Sequence, residues 1–237
     1  MELKTAESAG PSKRDKHYGP HLGIVAIVFV TLFVSSLIVL RVLTNGASFP
    51  TPEWPEDLVK DYFNQFGSVV RIISFLQFSS AIPLGIFTAT VTSRLKFQGI
   101  NAAGVNIALF GGFTSSIFLA VSGLTGWVLS QPAIAIAGNP IRAFQLFGFA
   151  TGGVGHVVAF GLLLAGVSVT SGFARLIPPW LVWLGIITAA FAELSSLSLV
   201  FPSLTFFIPL GRFPGFIWII GAGFTLSKSK KLTPLQI

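Results

Sequence analysis

Arg71, Glu193 and Arg212 are ionisable side chains set in stretches otherwise apolar enough to cross a bilayer. A charge held in hydrocarbon costs at least ~2.5 kcal/mol, so such groups pair, face water or bind a ligand. Reading 177–200 and 204–226 as a helical hairpin that turns near Pro202 and Ser203 puts Glu193 and Arg212 about equally far from the turn. At ~1.5 Å per residue both lie roughly 10–15 Å below it. Opposite charges at one depth predict a Glu193–Arg212 ion pair, which either fixes helix five against helix six or belongs to a site. Around Arg212 the run IPLGRFPG carries Pro209, Gly211, Pro214 and Gly215. That composition predicts a kink or partial unwinding. Broken helices at membrane depth are tolerated where the backbone is buried in protein or lines a cavity.

Further polar groups fall at similar depth. Arg71, Ser74 and Gln77 share one arc of a helix. An Arg one turn from the surface also has the reach to snorkel into water, and Arg41 more so. Gln145 enters one turn into the fourth apolar stretch. Deeper in that stretch, Gly148, Gly152 and His156 are spaced by four, so the imidazole extends a stripe of small residues. A hydrogen-bond partner on helix three (Thr114, Ser115 or Ser116) would make His156 a satisfied packing residue; without one it reads as a proton relay. The candidate ligand-binding set is therefore Arg71, Gln77, Gln145, Glu193 and Arg212, with His156 as a secondary candidate. Two Arg against one Glu would leave a shared pocket net positive, suited to a carboxylate or phosphate headgroup.

Other chemistries are excluded by what the chain lacks. There is no Cys, which removes thiolate metal sites, disulfides and cysteine catalysis. The sequence contains no G-x-S-x-G, H-E-x-x-H or P-loop pattern. Glu193 is the only acid inside the apolar segments, so paired-carboxylate chemistry has no second member. No catalytic residue, metal or cofactor is expected.

These side chains must be carried by membrane helices. Hydrophobic residues make up 52% of 237 positions and charged residues 10%, against about 25% charged in soluble domains. The mean hydropathy is +0.81. The expected fold is an all-α, polytopic membrane bundle of six transmembrane helices at about 22–44, 68–92, 102–129, 141–169, 177–200 and 204–226. Residues 21–227 form this single domain, between a disordered tail at 1–20 and a second tail at 228–237. The connection 45–67 carries four acids, Glu53, Glu56, Asp57 and Asp61. Within it Leu58, Tyr62, Phe63 and Phe66 predict a short interfacial amphipathic helix after helix one, acting as a collar or a lid over the bundle. The connection 130–140 is expected as a loop.

The net charge of +7 does not indicate nucleic acid. Lys4, Lys13, Arg14, Lys16, Arg94, Lys96, Arg175, Lys228, Lys230 and Lys231 all sort to one side, as the positive-inside rule requires. Both termini are therefore expected in the cytoplasm, with the chain integral to the cytoplasmic (plasma) membrane.

Between helices four and five runs SGFARLIPPWLVWLG. This stretch resembles the S-G-aromatic-x-P-x-W-L turn of an uncharacterised bacterial six-helix integral membrane family. Ser171, Gly172, Phe173, Pro179, Trp180 and Leu181 match in type, and Ala174 to Pro178 are additional. The long connection after helix one is also similar. The resemblance implies a six-helix fold and transfers no catalytic residue. The function expected is a non-enzymatic membrane protein with an outward-facing polar pocket, one that binds a lipid or small anionic amphiphile or serves as an accessory subunit. A small-molecule transporter is the alternative, then a membrane enzyme with Glu193 as acid or base. Expected partners are membrane lipids and either another protein or a second copy of the chain.

Overall fold

The computed structural model describes residues 17–132 and 139–226. The expected tail at 228–237, most of the tail at 1–20 and the centre of the 130–140 loop lie outside these residues. The described residues are all-helical, with six spans among them long and apolar enough to cross a membrane. Its helices are α1 (Leu22–Leu43), α2 (Glu56–Phe97), α3 (Ala103–Leu129), α4 (Asn139–Ala150), α5 (His156–Phe173), α6 (Pro179–Leu194) and α7 (Phe207–Thr225). A π-helical turn, Thr151–Gly155, joins α4 to α5 into the fourth span. Two 3₁₀ turns, Ser195–Leu199 and Pro202–Phe206, make the hairpin between α6 and α7.

The spans form a ring in chain order. Each packs on its sequence neighbour, α7 closes on α1, and α5 also touches α7. One end of the ring holds the start of α1 and the end of α7 (the termini end). The opposite, loop end holds residues 44–55, 130–132 and 195–206. The axis of the ring is filled by Phe29, Phe33, Phe160, Phe216 and Trp218, all buried. Phe216 meets Phe29 edge-on at 5.4 Å and Phe33 at 5.1 Å between ring centroids. Such pairs contribute ~0.5–1.5 kcal/mol each beyond the area they bury.

Three local features depart from the expected elements. The amphipathic segment is the first part of α2, joined to span two across a kink at Phe66 (φ −111°, ψ 17°). No Pro separates them, so the helix bends rather than breaks. Val59, Tyr62 and Phe63 face inward on Leu129 and Ile141, whereas Leu58 points out. Second, α7 stays helical through Pro209 and Pro214. Pro209 sits in its first turn, where no intrahelical partner for an N–H exists. The irregular backbone lies instead in span four, where TGGVG forms the π turn. Third, His17 and Pro20 of the expected tail are tied to α2: His17 Nε2 lies 3.0 Å from Ser93 Oγ, and the Pro20 carbonyl accepts from Arg94 at 3.4 Å.

The end of α5 is closed by a Schellman motif. Leu176 N–H donates to the Ser171 carbonyl at 2.8 Å and Arg175 N–H to that of Gly172 at 3.0 Å. The motif needs a left-handed residue, usually Gly. Here it is Arg175, at φ 51°.

Candidate functional site

In the loop-end half of the ring α1, α2, α3, α4 and α7 enclose a cavity of about 210 Å³. Its walls are Phe33, Leu37 and Leu40 of α1, Ser74 and Gln77 of α2, Ser122 and Leu129 of α3, Gln145 and Phe149 of α4, and Arg212 of α7. Apolar surface dominates, with a few amides, hydroxyls and one cation. That balance is typical of small-molecule sites.

Among the described residues, Arg212 is the only ionisable side chain in the lining. Its guanidinium carbon stands 5.2 Å from the centroid of the Phe33 ring, a cation–π contact. One Nη donates to the Gly152 carbonyl on the π turn. Gly152 is required here, because a Cβ would collide with Ser122 Oγ of α3. Arg212 Nε is buried without a hydrogen-bond partner. A half-buried cation held, among the described residues, by a carbonyl and a ring face retains unsatisfied attraction for an anion.

The mouth is covered by the connection between α1 and α2. The buried Gln145 donates from Nε2 to the Pro50 carbonyl at 3.0 Å and accepts at Oε1 from Arg142 at 3.0 Å. Arg142 also donates to the Pro52 carbonyl. Phe49, between the helices and these anchors, lines the cavity and packs on Tyr62 and Phe63 at 5.8 and 5.9 Å. The cover is thus residues 47–54, strapped down by two side chains of α4. Cutting both anchors with Arg142→Ala and Gln145→Leu should speed the reaction of an introduced Ser74→Cys thiol with a water-soluble thiosulfonate. One charge-assisted bond and one neutral one hold the cover, and their loss corresponds to about tenfold or more in rate. An unchanged rate would show that access runs elsewhere.

Below the floor, His156 opens α5. Its ring stacks between Phe33 (6.3 Å, 16°) and Phe160 (5.8 Å, 12°). Ser115 Oγ lies 2.8 Å from Nδ1 and donates to the His156 carbonyl at 3.0 Å, while the Ser115 carbonyl lies 3.1 Å from Nδ1. Both groups are satisfied when Nδ1 carries the proton and donates to Ser115. Nε2 is then an acceptor, buried without a partner. Of the three helix-three partners expected, Ser115 is the one that bonds. The small-residue stripe also falls where expected: Gly148 and Gly152 abut Thr125 and Ser122 of α3.

Of the sequence candidates, the cavity gathers Gln77, Gln145 and Arg212, with His156 outside the lining and stacked on Phe33 of its wall. Arg71 is elsewhere. It is exposed in a shallow groove beside Gln65, Ser68 and Gln131 and donates to the Ser130 carbonyl at 3.4 Å. The expected Glu193–Arg212 pair does not form. Glu193 is exposed, with its carboxylate beside Gly161 of α5. The depth match was right, because a Cβ on Gly211 would stand 2.7 Å from Ala192 Cα. The azimuth was not: one residue beyond each contact, at ~100° per residue, turns Glu193 and Arg212 to different sides. Because that contact is backbone against backbone, Gly211→Val should lower stability by about 1–3 kcal/mol. The readout is the apparent Tm in detergent, and an unshifted midpoint would contradict the close crossing. Asn106 is exposed and does not line the cavity.

Arg142 was not among the sequence candidates. Its signal was present: it lies three residues before Gln145, on the same helix face. Its partners are loop carbonyls, which carry no side-chain signature. The chain matches no family model, no curated protein and no solved structure. The chemistry of the site therefore rests on its own residues.

Proposed function

We propose that this protein is a non-enzymatic, multi-pass membrane protein that binds a small anionic amphiphile in the loop-end cavity. The observation that carries this reading is Arg212, the one cation among the described residues of an apolar chamber, with its Nε buried and unpartnered among them. The anionic end of the ligand meets Arg212, with Gln77 and Ser74 as further polar contacts, and an apolar tail lies against Phe33, Leu37 and Phe149. At about 210 Å³ the chamber falls below the ~300–1,000 Å³ of drug-sized sites. A carboxylate with a short tail suits it better than a whole phospholipid.

Binding is favoured over transport by the packing beneath. Phe29, Phe160, Phe216 and Trp218 fill the axis between the cavity and the termini end. Catalysis by Glu193 has no support, since Glu193 stands outside the cavity. Native mass spectrometry of the purified protein tests the reading. A small bound carboxylate is expected in the wild type and absent from Arg212→Ala; an identical spectrum for both would refute it.

The charge pattern orients the cavity outward, with both termini in the cytoplasm of a cell bounded by this membrane. The chain has no Cys, so Ser48→Cys and Ser229→Cys test this singly. The thiol at 48 should react with an impermeant reagent on intact cells and that at 229 only after permeabilisation. The reverse pattern would invert the topology.

A further inference from the structure

At the termini end, the turn between α5 and α6 borders a second and larger cavity, about 780 Å³, open on the outside of the ring. We infer that this slot is a binding site for one anionic phospholipid, with its phosphate on Arg175 and an acyl chain between α5 and α6. The site does not depend on the loop-end cavity.

The slot is made by the SGFARLIPPWL segment. Arg175 is exposed at its rim, and Val169 and Phe173 of α5 face Val182, Trp183 and Ile186 of α6 across it. Arg175 precedes the first residue of α6 by four positions and so stands at the end of the span. Trp183 and Ile186 lie four and seven residues into α6, at ~6 and ~10 Å depth. A cation at the surface above ~10 Å of apolar slot, within a leaflet whose hydrocarbon is ~15 Å thick, has the layout of a phospholipid. Phe173 is 88% and Trp183 63% exposed, and Trp is the residue that prefers the headgroup boundary.

The backbone adds an independent observation. Arg175 occupies the left-handed position of the Schellman motif, where Gly carries no steric penalty. A side chain kept at a strained position points to a use for that side chain. The left-handed turn fixes its Cα at the rim.

Fluorescence quenching in liposomes tests the site. The chain has five Trp, so the Trp183 signal is taken as the difference between wild type and Trp183→Phe. At equal mole fraction, dibrominated phosphatidylglycerol should quench that signal with about fivefold higher relative affinity than dibrominated phosphatidylcholine. Arg175→Gly should bring the ratio to one while leaving the apparent Tm unchanged or higher, because Gly suits φ 51°. Arg175→Gln serves as a second charge-removing variant. Equal quenching by both lipids in the wild type would overturn the site, as would a preference that survives in both variants. A dimer that shields Trp183 from either lipid would overturn it too, and would assign the slot to a second copy of the chain.

Discussion

Arg212→Met should weaken anion binding sharply without harming the fold. A charge-assisted hydrogen bond contributes about 1.5–3 kcal/mol, so losing the guanidinium should weaken a carboxylate ligand by roughly 10- to 100-fold. The same change removes a partly buried cation that has no acidic partner within the described residues. Replacing such a charge by an apolar side chain of similar volume is commonly neutral or stabilising. Equilibrium dialysis with radiolabelled octanoate, run beside an apparent Tm in detergent, separates the two effects. Affinity should collapse while the midpoint holds or rises. Arg71→Gln and Glu193→Gln should leave affinity within about twofold, since neither side chain lines the cavity. Arg212→Lys keeps a point charge but not the fork that engages a carboxylate in two bonds, and should fall between. Weakening by Arg71→Gln equal to that by Arg212→Met would move the site to the shallow groove around Ser130.

His156→Ala should be the most destabilising single change near the site. It deletes a fully buried ring stacked between Phe33 and Phe160. It also removes the Nδ1 group that meets the Ser115 hydroxyl and carbonyl. Truncating a buried aromatic ring costs about 3–5 kcal/mol. Ser115→Ala, which leaves the stack in place, should cost about 1 kcal/mol. Apparent midpoints of the two variants should therefore be well separated. If His156→Ala were as mild as Ser115→Ala, the ring would not be holding α1 to α5, and a role for its free Nε2 would become the better reading.

Depth and partner type were legible in the sequence; azimuth and strap contacts were not. Hydropathy placed six spans, and counting from the turn at Pro202 set Glu193 and Arg212 at one depth, within a turn of the observed Gly211–Ala192 crossing. Small-residue spacing put Gly148, Gly152 and His156 against α3, down to a hydroxyl partner for the imidazole. Rotation about a helix axis is a different matter. One residue turns a side chain by ~100°, and tertiary packing sets that angle, so the Glu193–Arg212 pairing failed by a single position on each helix. Proline in IPLGRFPG suggested an unwound α7, yet Pro209 occupies a first turn, where it is tolerated. The irregular backbone arose in TGGVG, where π geometry has no sequence signature beyond its glycines. The strap of Arg142 and Gln145 was hidden for another reason: its acceptors are main-chain carbonyls of Pro50 and Pro52.

The central claim, that an anion sits on Arg212, is tested most directly by a distance. Octanoate labelled with ¹³C at its carboxyl, bound to protein labelled with ¹⁵N at the arginine Nη atoms, can be examined by dipolar recoupling in liposomes. A carboxylate paired with a guanidinium brings carbon and nitrogen within about 4 Å. A coupling of that size is expected in the wild type and in Arg71→Gln, and is expected to vanish in Arg212→Lys, whose ammonium carries no label. Bound octanoate that shows no coupling, or a coupling that persists in Arg212→Lys and disappears in Arg71→Gln, would contradict the claim.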